Sequence, residues 1–356
     1  MALKNALQNA PTEFSSAPGV PLSLPLPDGR FLSFEMKEVQ YMAPELAAKF
    51  PEIKTYTARS PQDGAAKANI VVSPYGVDAV FATRDETYGI KTIAWNDLSA
   101  YSCHRIGDLP FTGIECEEHG NSLPELAPNA RIAGANPRTV NVAPHQPGAN
   151  ERRVGGRWEN MGTERYVYRL AVASTGEYTA YRSGKSGTMA AIMVYLNYTN
   201  FNFENQASVR FELVADNDKI IFTSTADGMD NNALQGSQAQ AKMDQKIGNN
   251  NYDIGISFHT NRGGRAPGLG AVCGSSKGKA TSPDDASTFV HELGHMFGAG
   301  HSFNSVSAEC AYQRSASSAF EPGSGITFMS YAFGCNPDRI PGLLYTSDAA
   351  DDQARG

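Results

Sequence analysis

Apolar and polar residues alternate at period two in the first third of the chain. "GRFLSFEMKEV" (29–39) alternates along its length, and "ANIVVSP" and "GVDAVFATR" are short β-prone runs bounded by turn formers. Between prolines, "MAPELAAKFPEI" predicts a short helix. Residues from about 22 to 116 therefore read as strand-rich. Residues 126–163, beginning "LAPNARIAGANPRTVNVAPHQPG", have little periodicity and many turn formers, and they carry a basic pair, Arg152-Arg153. They read as an exposed linker that a protease can reach.

From Arg165 the period changes. "RYVYRLAVA" reads as a strand, and Ser186 to Leu196 places Met189, Ile192, Met193 and Leu196 on one helical face. "SVRFELVAD" alternates Val209, Phe211 and Leu213 against Arg210 and Glu212. A helical pattern in "NALQGSQAQAKMDQKIG" then precedes the strand "YDIGISFHT". This alternation of strands and helices predicts an α/β domain with a twisted, mostly parallel sheet. The expected layout is a strand-rich domain over 1–125, a linker over 126–163, an α/β domain over 164–342 and a non-native tail over 343–356.

Composition narrows the function. The chain has 356 residues, 41% hydrophobic and 19% charged, enough for more than one buried core. A net charge of -7 gives no footprint for nucleic acid or an anionic membrane. No window has the ~18 uninterrupted apolar residues of a membrane span. The first residues lack the apolar core of a signal peptide. Five cysteines (Cys103, Cys116, Cys273, Cys310, Cys335) form no CxxC pair, and their spacing suits sparse disulfides better than a zinc ribbon.

The chemistry concentrates in "FVHELGHMFGAGHSF" (289–303). His291 and His295 are four apart, so a helix presents both imidazoles on one face. Asp284 and Asp285 lie near the helix start, where carboxylates favour the positive dipole end. Gly298 stops the helix in a position that tolerates positive φ, and the turn brings His301 to the same ion. Three neutral imidazoles leave a zinc ion one open position. Glu292, beside the first ligand and outside the set, is placed to act as general base and then acid. HExxH alone is moderate evidence; Gly298 and His301 at their offsets make it strong.

The pattern His291-Glu292-x-x-His295-x-x-Gly298-x-x-His301 resembles the metzincin clan of zinc endopeptidases. Among these, "RLAVASTGEYTAY", "YDIGISFHT", "GLGAVCGSS" and "FEPGSGITFMSYA" resemble the bacterial reprolysin-like (adamalysin-like) enzymes, over roughly residues 165–340. The resemblance implies a metzincin catalytic domain with zinc in a cleft, one catalytic Zn2+, and protein or peptide substrates. Met329 would form the apolar base of the ligand cluster without binding metal. The strand "PGLGAVCG", with Gly268, Leu269, Gly270 and Ala271, would be an edge that pairs with an extended substrate. Two positions depart from the pattern: Ser302 follows the third histidine where animal reprolysins have aspartate, and Met329-Ser330-Tyr331 resembles the astacin and serralysin turn. Tyr331 is either a displaceable fifth ligand or oxyanion stabiliser, or a buried packing residue.

The first region resembles the pro-region of the same bacterial enzymes, which implies a secreted or extracytoplasmic zymogen, monomeric, with the linker as its processing zone. Cys103 and Cys116 are candidates for a thiolate that occupies the open zinc position, or for a disulfide with each other. Cys310 and Cys335 bracket the segment from His301 to the methionine turn, where a disulfide would brace the site. In the family, a cysteine placed like Cys273 pairs nearer the C-terminus. "ADNDKIIFTSTADGMDNN" offers carboxylates for Ca2+ without EF-hand spacing. The tail "LLYTSDAADDQARG" resembles translated adapter sequence, so the domain is expected to end near Gly342 without the family's C-terminal helix. Other readings are a different HExxH enzyme with a glutamate ligand, which Gly298 and His301 disfavour, and a zinc-containing, latent homologue that only binds peptides.

Overall fold

The alternating run at Phe31–Val39 becomes a strand whose inward positions, Phe34 and Met36, are fully buried while Glu35 faces out. The computed structural model describes residues 2–108, 137–141, 164–227, 229–231, 237–332 and 334–340. Arg152-Arg153, Cys116 and the tail from residue 343 lie outside the described residues.

After helix α1 (Ala2–Leu7), seven strands form an antiparallel meander in chain order: β1 (Val20–Pro25), β2 (Phe31–Val39), β3 (Lys54–Arg59), β4 (Lys67–Ser73), β5 (Gly76–Ala82), β6 (Thr87–Thr92) and β7 (Tyr101–Arg105). Helix α2 (Pro44–Lys49) joins β2 to β3, with Pro44 in its first turn, where a missing N–H costs nothing. β4 does not alternate, and Ala68 to Val72 are all buried. Its one polar member, Asn69, donates to Tyr41 Oη at 2.9 Å. Phe81 packs edge-on against Phe34 and stacks on Tyr88 in the core. The sheet curls: Cys103 on β7 donates its thiol to the Pro25 carbonyl on β1, 3.1 Å away.

The described residues separate into two compact units. One holds this sheet together with residues 190–210; the other holds residues 166–189 and the described residues from Phe211 onward. In the first unit Arg210 departs from the alternation that placed it on a polar face, being only 3% exposed. Two carboxylates compensate its burial: Glu204 accepts from Nε at 2.5 Å, Glu13 accepts from both terminal nitrogens, and the guanidinium lies 5.3 Å over the Tyr41 ring.

The second sheet has the order β10-β9-β11-β12, with β8 also paired to β9. Its elements run β8 (Arg138–Asn141), β9 (Glu164–Ser174), α3 (Gly176–Tyr181), α4 (Lys185–Gln206), β10 (Val209–Leu213), α5 (Ser237–Ile247), β11 (Ile254–Phe258), β12 (Ala280–Ser282), α6 (Ala286–Met296) and α7 (Cys310–Gln313). β9 pairs with β11 in parallel, Leu170 opposite Ile254, and β11 pairs with β12 in parallel, Ile256 opposite Ala280. β8 falls inside the stretch expected to be linker.

α4 continues ten residues past Leu196, through the polar-looking "NYTNFNFENQ". Three of its polar side chains bond the helix's own carbonyls: Thr199 Oγ1 to Tyr195 O at 2.8 Å, Asn202 Nδ2 to Tyr198 O at 2.8 Å and Asn205 Nδ2 to Phe201 O at 2.6 Å. Polar residues satisfied in this way tolerate burial. Among the described residues no helix is long and apolar enough to cross a membrane.

Candidate metal centre

Asp285 sets the start of α6. Its carboxylate accepts from Thr288 N at 2.7 Å and Thr288 Oγ1 at 2.9 Å, covering a donor that every helix start leaves open. Asp284 accepts from Tyr178 Oη at 2.7 Å and from the Arg182 guanidinium, which ties α6 to α3. An aromatic column holds the helix from behind: Tyr178 stacks on Phe258 at 4.9 Å and Phe258 on Phe289 at 5.1 Å. Every residue from Thr288 to Met296 is buried, so the histidines and Glu292 belong to a packed wall.

α6 stops at Met296. Gly298 has φ +99°, a left-handed value that a side chain disfavours, and its N–H donates to the His295 carbonyl at 2.9 Å. The turn presents the Ala299 carbonyl to His295 and returns the chain so that His301 meets both helix histidines.

Each imidazole is oriented by a main-chain carbonyl. His291 Nδ1 bonds Phe328 O at 2.6 Å, His295 Nδ1 bonds Ala299 O at 2.7 Å and His301 Nδ1 bonds Gln313 O at 2.5 Å. A carbonyl only accepts, so each Nδ1 carries the proton and each Nε2 of a neutral ring offers a lone pair. His301 Nε2 lies 3.2 Å from His291 Nε2 and 3.1 Å from His295 Nε2, and the three ligand atoms fall within 4.8 Å of one another. Three lone pairs this close repel unless a cation lies among them. Zinc–nitrogen bonds of about 2.0–2.1 Å at tetrahedral angles put ligand nitrogens about 3.3 Å apart, so the donor set fits that ion. Among the described residues, no other group of three His, Cys, Asp or Glu side chains converges in this way.

Two glycines that sequence reasoning passed over shape the wall. A β-carbon on Gly294 would lie 2.4 Å from Met329 Sδ, so the methionine sits directly against the backbone of α6. A β-carbon on Gly264 would lie 2.5 Å from Glu292 Oε1 and 2.4 Å from Thr288 Cγ2, so the buried Glu292 carboxylate rests against the Gly264 backbone. The only sequence signal for either was a glycine in a place that did not need one for a turn.

Tyr331 is buried, its ring 5.0 Å from that of His301 and 4.7 Å from Phe303, in a cluster with Cys310 and Cys335. Those two cysteines form a disulfide. Cys103 sits on β7, packed against the sheet core, and burial pushes its thiol pKa up, away from the thiolate that binds metal. His259, just after β11, is buried and its pKa is pushed down to about 4 by desolvation. The stretch offered for calcium folds partly into the 3-10 turns Asn217–Ile220 and Thr225–Asp227. Its Asn217 side chain is used by the N–H and carbonyl of Val172 on β9.

The expected edge strand at 268–271 is corrected by the structure. Gly268 and Gly270 have φ +146° and +72°, and the segment is a turn. The N–H groups of Gly270 and Val272 donate to the carbonyls of His295 at 3.0 Å and Met296 at 3.2 Å, closing the end of α6. The glycines signal backbone curvature there. Antiparallel pairing at this sheet edge lies upstream, between Arg265 and Thr281 of β12.

In comparison with solved structures, the crystal structure of metalloproteinase-II from Bacteroides fragilis is similar at 11% identity and a TM-score of 0.45, covering 99% of this chain and 93% of that one. No curated protein sequence matches the chain. Residues 163–337 match the family described as Metallo-peptidase family M12B Reprolysin-like. The histidine-lined wall thus lies wholly within a matched region, and over residues 163–337 the chain is a member of the reprolysin-like M12B metallopeptidases.

Proposed function

We propose that the chain is a zinc endopeptidase, with His291, His295 and His301 as the ligands and Glu292 as the proton-transferring group. The observation that carries this reading is the convergence of three Nε2 atoms, each imidazole fixed by a main-chain carbonyl, beside a buried carboxylate on the same helix. When bound, a zinc ion supplies Lewis acidity, polarising a carbonyl and acidifying water. Glu292 takes the proton from the attacking water and passes it to the leaving amine nitrogen. Met329 floors the ligand helix, and Gly268 to Ala271, no longer a strand, remain a candidate contact for substrate backbone. Tyr331 packs against the third ligand and is a candidate for steadying the developing oxyanion.

In this reading residues 1–125 are a pro-domain, 126–163 the processing zone and 164–342 the catalytic domain of a zymogen. The Cys310–Cys335 disulfide supports an oxidising, extracytoplasmic location.

The test is zinc stoichiometry and casein cleavage on one preparation, processed and unprocessed, alongside Glu292→Ala. One zinc per chain is expected, with cleavage reduced at least ~100-fold in the variant. Cleavage that survives the substitution refutes the role of Glu292. A processed chain that holds zinc and cleaves nothing is instead a peptide-binding homologue.

A further inference from the structure

Glu321 belongs to no ligand motif, yet it is 1% exposed and four donors converge on its carboxylate. Oε1 accepts from the hydroxyls of Ser302 and Thr327; Oε2 accepts from the N–H of Ile326 at 2.6 Å and of Thr327 at 3.0 Å. The Glu321 backbone is tied to the same neighbour: its N–H donates to Ser302 O at 2.8 Å, and its carbonyl accepts from Asn304 N–H at 2.8 Å. A β-carbon on Gly325, at φ +68°, would lie 2.8 Å from Oε2, so the turn from 321 to 327 is wrapped on the carboxylate itself.

The two ends of this clamp are the residue after the third histidine and the residues just before Phe328, whose carbonyl orients His291. A third link, Ser302 N–H to Met329 O at 2.9 Å, closes the ring. All four donors to the carboxylate are neutral. Burying a carboxylate on neutral donors is costly, and an apolar plug would hold a loop more cheaply. What four directed hydrogen bonds add is a fixed relative position for the segments they join.

We propose that Glu321 is a positioning residue of the metal centre: its carboxylate locks the His301–Ser302 segment to the turn that carries the Phe328 carbonyl, and so sets two of the three imidazoles. This rests on the reading of the triad as a zinc site.

The test uses the full chain and two readouts that do not involve turnover. These are the zinc dissociation constant, measured by competition with a chelating indicator, and the visible d–d spectrum of the cobalt(II)-substituted protein. Glu321→Gln keeps the size of the side chain but places an NH2 against hydroxyl and amide donors. It is expected to weaken zinc about 10- to 100-fold and to change the cobalt bands, with parental circular dichroism. The double variant Ser302→Ala/Thr327→Val leaves the carboxylate and removes two of its donors; a smaller loss in the same direction is expected, and it decides the matter if Glu321→Gln does not fold. Zinc affinity within twofold of the parent and an unchanged cobalt spectrum overturn the proposal. A parent chain that takes up no zinc at all would instead refute the zinc site itself.

Discussion

The sulfur of Met329 occupies the space that a side chain on residue 294 would need: a β-carbon there would sit 2.4 Å from Sδ. Helix and methionine turn fit only because Gly294 exposes backbone. Gly294→Ala must displace the Met329 side chain, and any shift of the turn that carries it would move the neighbouring Phe328 carbonyl that holds His291. Thermal unfolding is expected to show a loss of about 1–3 kcal/mol, with weaker zinc uptake. Adding Met329→Ala should restore part of the zinc affinity, because the crowding is then relieved.

Gly264 stands in the same relation to the Glu292 carboxylate. Gly264→Ala brings a methyl within 2.5 Å of the present Glu292 Oε1 position, so the carboxylate has to move. Catalysis is sensitive to displacements of this size, and kcat is expected to fall by roughly 10- to 100-fold. Zinc stoichiometry should stay at the parental value, which separates this effect from that at Gly294.

The Cys310–Cys335 disulfide joins the start of α7 to the segment after the methionine turn, around Phe303 and Tyr331. Replacing both cysteines with alanine is expected to cost about 2–4 kcal/mol in denaturant titration. Since Gln313 of α7 supplies the carbonyl for His301, zinc loss on dilution should also be faster.

His259 predicts an acid sensitivity. Its folded pKa lies near 4, below the ordinary 6.5, because burial disfavours the charged ring. The unfolded chain therefore binds more protons between those values. Stability is fully present above pH 6.5 and is lost as pH falls towards 4, by up to roughly 3 kcal/mol from this group. His259→Gln removes that slope: unfolding curves at pH 7 and pH 4.5 should lie closer together for the variant than for the parent.

The convergence of the three histidines could be read from sequence because helical spacing and one φ-tolerant glycine determine it locally. The helix α4 was read only to Leu196, since Asn and Thr look like surface residues until their bonds to their own helix are seen. Arg210 escaped for a related reason: its partner Glu13 is distant in sequence, and no periodicity reports a long-range ion pair. The strand expected at 268–271 failed where glycine is ambiguous between close approach and positive φ, and the structure chose positive φ. Glu321 left no trace, because Ile326 and Thr327 meet it through a turn that has no periodicity and Ser302 lies in a separate segment.

The meander has a consequence for the order of events during synthesis. Each of its strands pairs with the next one in the chain, so each hairpin can close as soon as its second strand leaves the ribosome. β11 cannot meet β9 until α3, α4, β10 and α5 have been made, and the histidines come later still. The N-terminal sheet can therefore assemble before the three histidines, and the Phe328 and Gln313 carbonyls that orient two of them, have been made.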